Sequence, residues 1–143
     1  MQLALSEARH AAERGEIPVG AVVVSPSGRV IGRGHNLTEA LSDVTAHAEM
    51  QAITAATQTL GGKYLSDCTL YVTLEPCLMC AGAIAWSQLS RIVIGADDPA
   101  RGYSAICSRQ PFHPRATVVR GVCADECSAL VRDFFRARRS EKS

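Results

Sequence analysis

The sequence predicts an α/β protein in which helices cover both faces of one sheet, a three-layer α/β/α sandwich. Short β-branched runs alternate with helical segments, and no internal repeat, low-complexity tract or linker interrupts that order. A chain of 143 residues with 47% hydrophobic residues can bury one core and is too short for two ordinary domains. We therefore expect residues 1–143 to form a single domain.

The first half of the chain is predicted to form a helix, a hairpin and a second helix. Gly15 and Pro18 end the first helix, and the Ser25-Pro26-Ser27-Gly28 turn joins two β-branched runs. Thr45 offers an N-cap to the second helix, and Gly61 ends it. The predicted elements are a helix over 3–14, strands over 19–24 and 29–34, and a helix over 46–60.

The second half is predicted to alternate strands and helices again. Pro76 stands at a helix start, where proline is tolerated because no N–H is needed there. The stretch 97–115 contains Gly and Pro and carries no periodic pattern. The predicted elements are strands over 69–74, 91–95 and 117–119 and helices over 77–88 and 125–139.

Composition and charge restrict the partners. No apolar run reaches the length of a membrane span, and the N-terminus lacks the pattern of a secretory signal. We therefore expect a cytoplasmic protein with no membrane association.

The formal net charge is only +1, but a local basic patch suits a partner that is polyanionic at one face. That patch comprises Arg132, Arg136, Arg138, Arg139 and Lys142.

The cysteines favour metal binding or free buried thiols over disulfides. A chain of this size and apolar content needs no disulfide bonds to stabilise its core, and it shows no secretion signal. The six cysteines are Cys68, Cys77, Cys80, Cys107, Cys123 and Cys127.

Two short motifs together indicate a catalytic zinc site: His47-Ala48-Glu49 and Pro76-Cys77-Leu78-Met79-Cys80. Two thiolates and one imidazole offset the charge of Zn²⁺ and leave its fourth tetrahedral position open, as a catalytic zinc requires. Both motifs fall at predicted helix starts, where the helix dipole favours thiolates. Because residues two apart do not share a helix face, His47 and Glu49 can serve one site only from the first turn.

Each motif alone also has a plain structural interpretation. Most His-x-Glu pairs are surface helix residues, and a Cys-x-x-Cys pair can be half of a structural zinc site or a thioredoxin-like pair. A closed structural site needs a fourth ligand, for which Cys68, Cys107 and His113 remain open. The order His-x-Glu then Pro-Cys-x-x-Cys is nevertheless the signature of zinc deaminases, and a structural site has no use for Glu49.

Further residues connect the chain to a known family over nearly its whole length. They are Ile17-Pro18-Val19-Gly20-Ala21-Val22, Gly34-His35-Asn36, Thr45-Ala46-His47-Ala48-Glu49, Tyr71-Val72-Thr73-Leu74-Glu75-Pro76-Cys77-Leu78-Met79-Cys80-Ala81-Gly82-Ala83, Ala124-Asp125-Glu126-Cys127 and Phe134-Phe135-Arg136. On these residues the sequence resembles the bacterial tRNA-specific adenosine deaminases of the cytidine-deaminase-like superfamily. The Leu-Glu-Pro-Cys-Leu-Met-Cys run and the double-Phe basic tail are more specific than the zinc motif alone.

The resemblance implies a cytidine-deaminase-like fold with a mixed five-stranded sheet, a homodimer, and conversion of the wobble adenosine of a tRNA anticodon to inosine. It implies one Zn²⁺ per subunit, bound by His47, Cys77 and Cys80, with Glu49 moving protons. An alternative for Asn36 is a purely local role in closing the loop after a strand. The substrate-binding residues implied by the resemblance are Asn36, Ala48, Asp98, Phe135 and Arg136.

The last helix supports an RNA partner independently. A basic stripe, with Phe135 at its edge, suits phosphate contact and base stacking. An ordinary solvated helix face is the alternative. Helical spacing directs Cys127, Leu130, Val131 and Phe134 to the core and Arg132, Arg136 and Arg139 away from it.

The residues also allow three rival functions. A deaminase of free bases or nucleosides, such as guanine or cytosine, would share the fold but would not need the basic aromatic tail. A riboflavin-pathway deaminase fits less well, because those enzymes usually separate their cysteines further than Cys77 and Cys80. A non-catalytic RNA-binding module with a structural zinc is the third.

Two features depart from the family pattern. Arg101-Gly102-Tyr103 is bulkier than the small-residue loop of several members, which affects fine substrate detail. The first helix begins almost at residue 1 and is shorter than expected, which is consistent with a truncated start.

Overall fold

A computed structural model describes residues 1–142 of the chain; residue 143, the end of the predicted domain, lies outside the described residues. The sheet has five strands in the order β2-β1-β3-β4-β5. β1 runs antiparallel to β2 and β3, whereas β3, β4 and β5 are parallel, so the predicted mixed sheet is confirmed. The elements are α1 Gln2–Glu13, β1 Gly20–Val24, β2 Val30–His35, α2 Ala48–Leu60, β3 Thr69–Leu74, α3 Leu78–Trp86, β4 Arg91–Ala96, a 3-10 helix Tyr103–Ala105, β5 Thr117–Val119 and α4 Ala124–Lys142.

Helices cover both faces of this sheet, as the alternating pattern predicts. On one face α2 and α3 bury a core that includes Ala52, Leu70, Ile84 and Ile92. On the other face α1 and α4 enclose a smaller cluster built on Leu5, Ala96 and Cys127. The three-layer α/β/α sandwich is therefore confirmed.

Helix α2 packs directly against the backbone of β2. A Cβ atom at Gly34 would collide with the Ala48 backbone oxygen and would lie 2.7 Å from the Ala52 nitrogen. Only glycine lets the helix approach this closely. The contact fixes the first turn of α2 beside the end of β2, and that turn carries the His-x-Glu motif.

The start of α2 differs from the prediction. The helix begins at Ala48 rather than at residue 46, and its N-cap is His47, which has extended φ and ψ of −77° and 157°. Thr45 belongs to the preceding loop, because the Asp43 carboxylate accepts hydrogen bonds from its N–H and hydroxyl at 2.8 and 2.7 Å. These tertiary and loop contacts override the local N-cap preference of Thr45.

Helix α4 also differs in what it buries. Of the four residues predicted to face the core, only Cys127 is fully buried, while Leu130, Val131 and Phe134 are partly buried. The helix packs on β4 and β3 through its first turns and then extends along the surface. The predicted exposure of Arg132, Arg136 and Arg139 is confirmed. Among residues 1–142 no helix combines the length and the hydropathy needed to cross a membrane.

Candidate active site

The two motifs meet between the N-terminal ends of α2 and α3. His47 is the N-cap of α2, Cys77 is the N-cap of α3, and Cys80 lies in the first turn of α3. The His47 Nδ1 atom lies 3.7 Å from the Cys77 Sγ atom and 3.5 Å from the Cys80 Sγ atom. β1 pairs antiparallel with both β2 and β3, so the C-terminal ends of β2 and β3, beside which α2 and α3 begin, lie at the same end of the sheet.

These distances fit one zinc ion. With Zn–S and Zn–N bonds of about 2.3 and 2.0 Å, a tetrahedral angle separates sulfur and nitrogen ligands by about 3.5 Å. Within residues 1–142, His47, Cys77 and Cys80 form the one group of three or more such side chains close enough to share an ion. The three fourth-ligand candidates lie elsewhere: Cys68 is buried in the core, Cys107 packs against that core, and His113 accepts the Arg115 N–H at 3.2 Å.

The surroundings favour a charged thiolate at Cys77. Hydrogen bonding with Cys80 and with His47 lowers the pKa of the Cys77 thiol to about 3. A hydrogen bond with Cys77 raises the pKa of His47, and the same ring is held by the backbone of Val44. A second contact of this kind orients a metal-binding imidazole.

Glu49 is placed to move protons beside these ligands. Its side chain lies in the first turn of α2, is only 4% exposed, and lines the cleft described below. Burial raises the pKa of the Glu49 carboxyl to about 7, so both protonation states are accessible near neutral pH. The carboxyl is also within hydrogen-bonding reach of the Cys80 thiol.

A cleft of about 770 Å³ opens over these residues. Of the residues singled out in the sequence, Asn36, His47, Glu49, Cys77, Asp98 and Phe135 line it. Ala48 is fully buried and does not line the cleft, and Arg136 is exposed outside it on α4. Arg132 of the predicted basic stripe does line the cleft, on the side formed by α4.

Asn36 connects the cleft to the start of α2. Its side-chain oxygen accepts the Ala48 N–H at 2.9 Å, and its amide nitrogen donates to the Ile17 carbonyl at 2.9 Å. The local structural role that the sequence left open is thus present. One lone pair on the oxygen and one amide hydrogen remain for a ligand.

Two buried carboxylates beside the cleft were missed in the sequence. Glu16 is 1% exposed and accepts the N–H groups of Glu39 and Ala40 at 3.1 and 2.9 Å. Glu75 is 3% exposed and is contacted by Arg120 at 3.2 Å. The position of Glu75 between an apolar strand and Pro76 was a usable signal, whereas no local pattern marks Arg120.

Comparison with known proteins now identifies the family. The zinc-binding region of the cytidine and deoxycytidylate deaminases matches residues 1–96. A tRNA-specific adenosine deaminase of Bacillus subtilis is 44% identical, over 99% of this chain and 90% of its own length. The chain belongs to the tRNA-specific adenosine deaminase family. As a member of this family it is a zinc-dependent deaminase, which confirms the resemblance seen in the sequence.

Solved structures agree with membership in the tRNA-specific adenosine deaminase family. One, from a study of A-to-I editing by tRNA:A34 deaminases at the wobble position, is 45% identical with a TM-score of 0.84, covering 91% of this chain and 96% of that one. A guanine deaminase from Nitrosomonas europaea is 27% identical with a TM-score of 0.78, covering 93% of this chain and 81% of that one. The fold is therefore shared with enzymes that act on free bases.

Proposed function

We propose that this protein catalyses the hydrolytic deamination of the wobble adenosine of a tRNA anticodon to inosine, with release of ammonia. The observation that carries the proposal is the three-ligand group with Glu49 beside it, opening into a cleft that Phe135 and Arg132 border. The names of the relatives support adenosine in tRNA as the substrate. In this proposal residues 1–143 act as one deaminase domain.

His47, Cys77 and Cys80 would hold one zinc ion per subunit. When bound, zinc is a Lewis acid that makes water nucleophilic near neutral pH. Glu49 carries both protons of the attacking water: it moves the first to the purine N1 atom, and it moves the second, taken from the hydroxyl then attached to C6, to the amino group, which departs as ammonia while C6 becomes a carbonyl. The raised pKa of Glu49 suits both directions of transfer.

The base-binding side of the cleft would be organised by Asn36. Its free lone pair and amide hydrogen can bond the edge of the flipped base. Ala48 contributes by holding the Asn36 oxygen through its N–H. Asp98 lines the cleft, while one of its oxygens accepts the N–H groups of Ala100 and Arg101 at 3.2 and 3.0 Å. Its second oxygen remains for a ribose hydroxyl.

The RNA around the target base would contact α4. Phe135 is 40% exposed at the cleft and offers a ring for base stacking. Arg132, at the cleft, and Arg136, one turn further along the same helix, offer charges for phosphates. Because its substrate is tRNA, we place the protein in the cytoplasm.

A second copy of the chain would cover α3. This helix carries no charged residue, yet Leu78 and Trp86 are 51% and 84% exposed, and Ile106 beside its start is 61% exposed. An exposed apolar surface of this kind is typical of a protein interface. We therefore propose a homodimer through α3, and sedimentation of Trp86→Glu against the parent protein tests it. A monomeric parent would exclude the dimer.

Substrate choice tests the proposal directly. The purified protein is incubated with an anticodon stem-loop RNA bearing a wobble adenosine and, separately, with free guanine, cytosine and adenosine. Inosine in the RNA with inert free bases is the expected result. Turnover of guanine with an inert RNA would instead support the free-base function, which the Nitrosomonas europaea neighbour makes the main rival.

A further inference from the structure

Glu75 is a buried carboxylate that the proposed reaction does not use. It follows β3, two residues before Cys77, and it accepts the N–H groups of Asp98 and Ser104 at 3.1 and 3.0 Å. Burial would raise the pKa of Glu75, but these hydrogen bonds and that from Arg120 lower it to about 2. The side chain is therefore a fixed negative charge, and both of its oxygens hold the segment 97–104.

Arg120 neutralises this charge and adds two further attachments to the same segment. It follows β5, and its guanidinium donates to Glu75 Oε2 at 3.2 Å, to the Tyr103 hydroxyl at 2.9 Å and to Asp97 Oδ1 at 2.7 Å. The planar fork of arginine can satisfy three acceptors at once, which a lysine ammonium on its flexible stem does less well. Arg120 thus connects the floor of the cleft to both ends of the segment.

The segment held in this way is one wall of the cleft. Residues 97–101 all line it, as do Phe135 and Arg132. The backbone of the segment is also bonded to the start of α3, since the Tyr103 N–H donates to the Pro76 carbonyl at 2.9 Å. At Gly102 a Cβ atom would collide with the Glu75 carboxylate, so the segment lies directly on it.

We propose that Arg120 is a positioning residue: through Glu75, Tyr103 and Asp97 it sets the cleft wall at 97–104 and so controls how tightly the substrate RNA binds. Arg120 does not line the cleft, and its side chain is 35% exposed. The inference rests on the proposed function, because the wall faces the proposed substrate. It assigns Arg120 to binding and leaves the proton transfers to Glu49.

Arg120→Met tests this role because it keeps an unbranched apolar stem like that of arginine and removes all three hydrogen bonds of the guanidinium. Glu75 retains its two backbone donors, so the fold is expected to persist with a loosened wall. We expect the KM for the anticodon stem-loop to rise about tenfold, equivalent to about 1.4 kcal/mol, with kcat within about twofold of the parent value. Arg120→Lys should give an intermediate KM. Hydrogen exchange should quicken in 97–106 and remain unchanged in β1.

Arg9→Met is the matched control. It removes another arginine–carboxylate pair, Arg9 with Glu126 at 3.8 Å, which joins α1 to α4 and is half exposed. This variant should keep the parental KM and parental exchange. An Arg120→Met protein with the parental KM and parental hydrogen exchange would overturn the proposal. So would a variant that loses both kcat and bound zinc and exchanges its amide hydrogens faster throughout the sheet. If the parent forms no inosine, the proposed function fails, and exchange in 97–106 still decides whether Arg120 holds the wall.

Discussion

Replacing Gly34 with alanine should displace α2 from the sheet. The added Cβ would lie 2.7 Å from the Ala52 nitrogen and from the Gln51 Cβ, whereas ordinary contacts begin at 3.4 Å. These two contacts require the helix to move by at least about 0.7 Å, and the collision with the Ala48 backbone oxygen requires more, since backbone atoms cannot rotate away as a flexible side chain can. The first turn of α2, with His47 and Glu49, moves with it.

The size of the effect follows from that displacement. Overpacking of this kind costs about 1–3 kcal/mol of unfolding free energy. A misplacement of 1 Å in an active site costs about 10²-fold in rate, so a shift of at least about 0.7 Å should lower kcat/KM by at least about 25-fold. Gly34→Ala should therefore remain folded, with a modestly lower free energy of unfolding, and yet show a strongly reduced kcat/KM.

Urea unfolding and inosine formation on an anticodon stem-loop measure the two quantities. Gly62→Ala is the control, because a Cβ there would meet nothing within 4 Å. It should keep both the unfolding free energy and kcat/KM of the parent. A Gly34→Ala protein with parental kcat/KM would refute the claim that the α2–β2 contact sets the position of the site.

Three further substitutions test the zinc ligands, the buried Glu16 carboxylate and the RNA contact of Phe135. Cys80→Ala removes one of three ligands, so zinc measured by mass spectrometry should fall well below one ion per chain; a full equivalent would contradict the ligand set. Glu16→Ala leaves the Glu39 and Ala40 N–H groups without their acceptor. It should lower the free energy of unfolding, measured by urea denaturation, by about 2 kcal/mol. The pKa of Glu16 is lowered in the folded state, despite the opposing effect of burial. The loss of unfolding free energy in Glu16→Ala should therefore be largest at pH 7 and decrease as the pH falls below the ordinary glutamate pKa. An equal loss at pH 3 would show that the charged carboxylate is not what stabilises the fold. Phe135→Ala should raise the KM for RNA about tenfold by loss of stacking, and an unchanged KM would remove Phe135 from the interface.

The sequence predicted the fold well where the signal was local. The β-branched run of β3 and its flanking residues gave the observed bounds, 69–74, because a buried strand has a continuous apolar pattern. The start of α2 was missed because Asn36, distant in sequence, accepts the Ala48 N–H, and Asp43 keeps Thr45 in the loop. Such contacts depend on the assembled fold and leave no local pattern.

The same division applies to the site. His47, Glu49, Cys77 and Cys80 were predictable because each lies at a helix start with a fixed spacing. Arg120 was not, since it meets Glu75 only after β5 has joined the sheet beside β4. Of the predicted substrate-binding residues, Asn36, Asp98 and Phe135 line the cleft, whereas Ala48 and Arg136 do not. On α4 the outcome depends on how the helix packs, because packing sets the direction of each side chain.

Glu49→Gln tests most directly whether Glu49 moves protons beside a bound zinc. The substitution keeps the size of the side chain and removes its ability to accept a proton. We expect one zinc ion per chain, unchanged affinity for the anticodon stem-loop, and inosine formation reduced about 10³-fold. A Glu49→Gln protein that binds zinc and forms inosine at the parental rate would show that Glu49 does not move the protons.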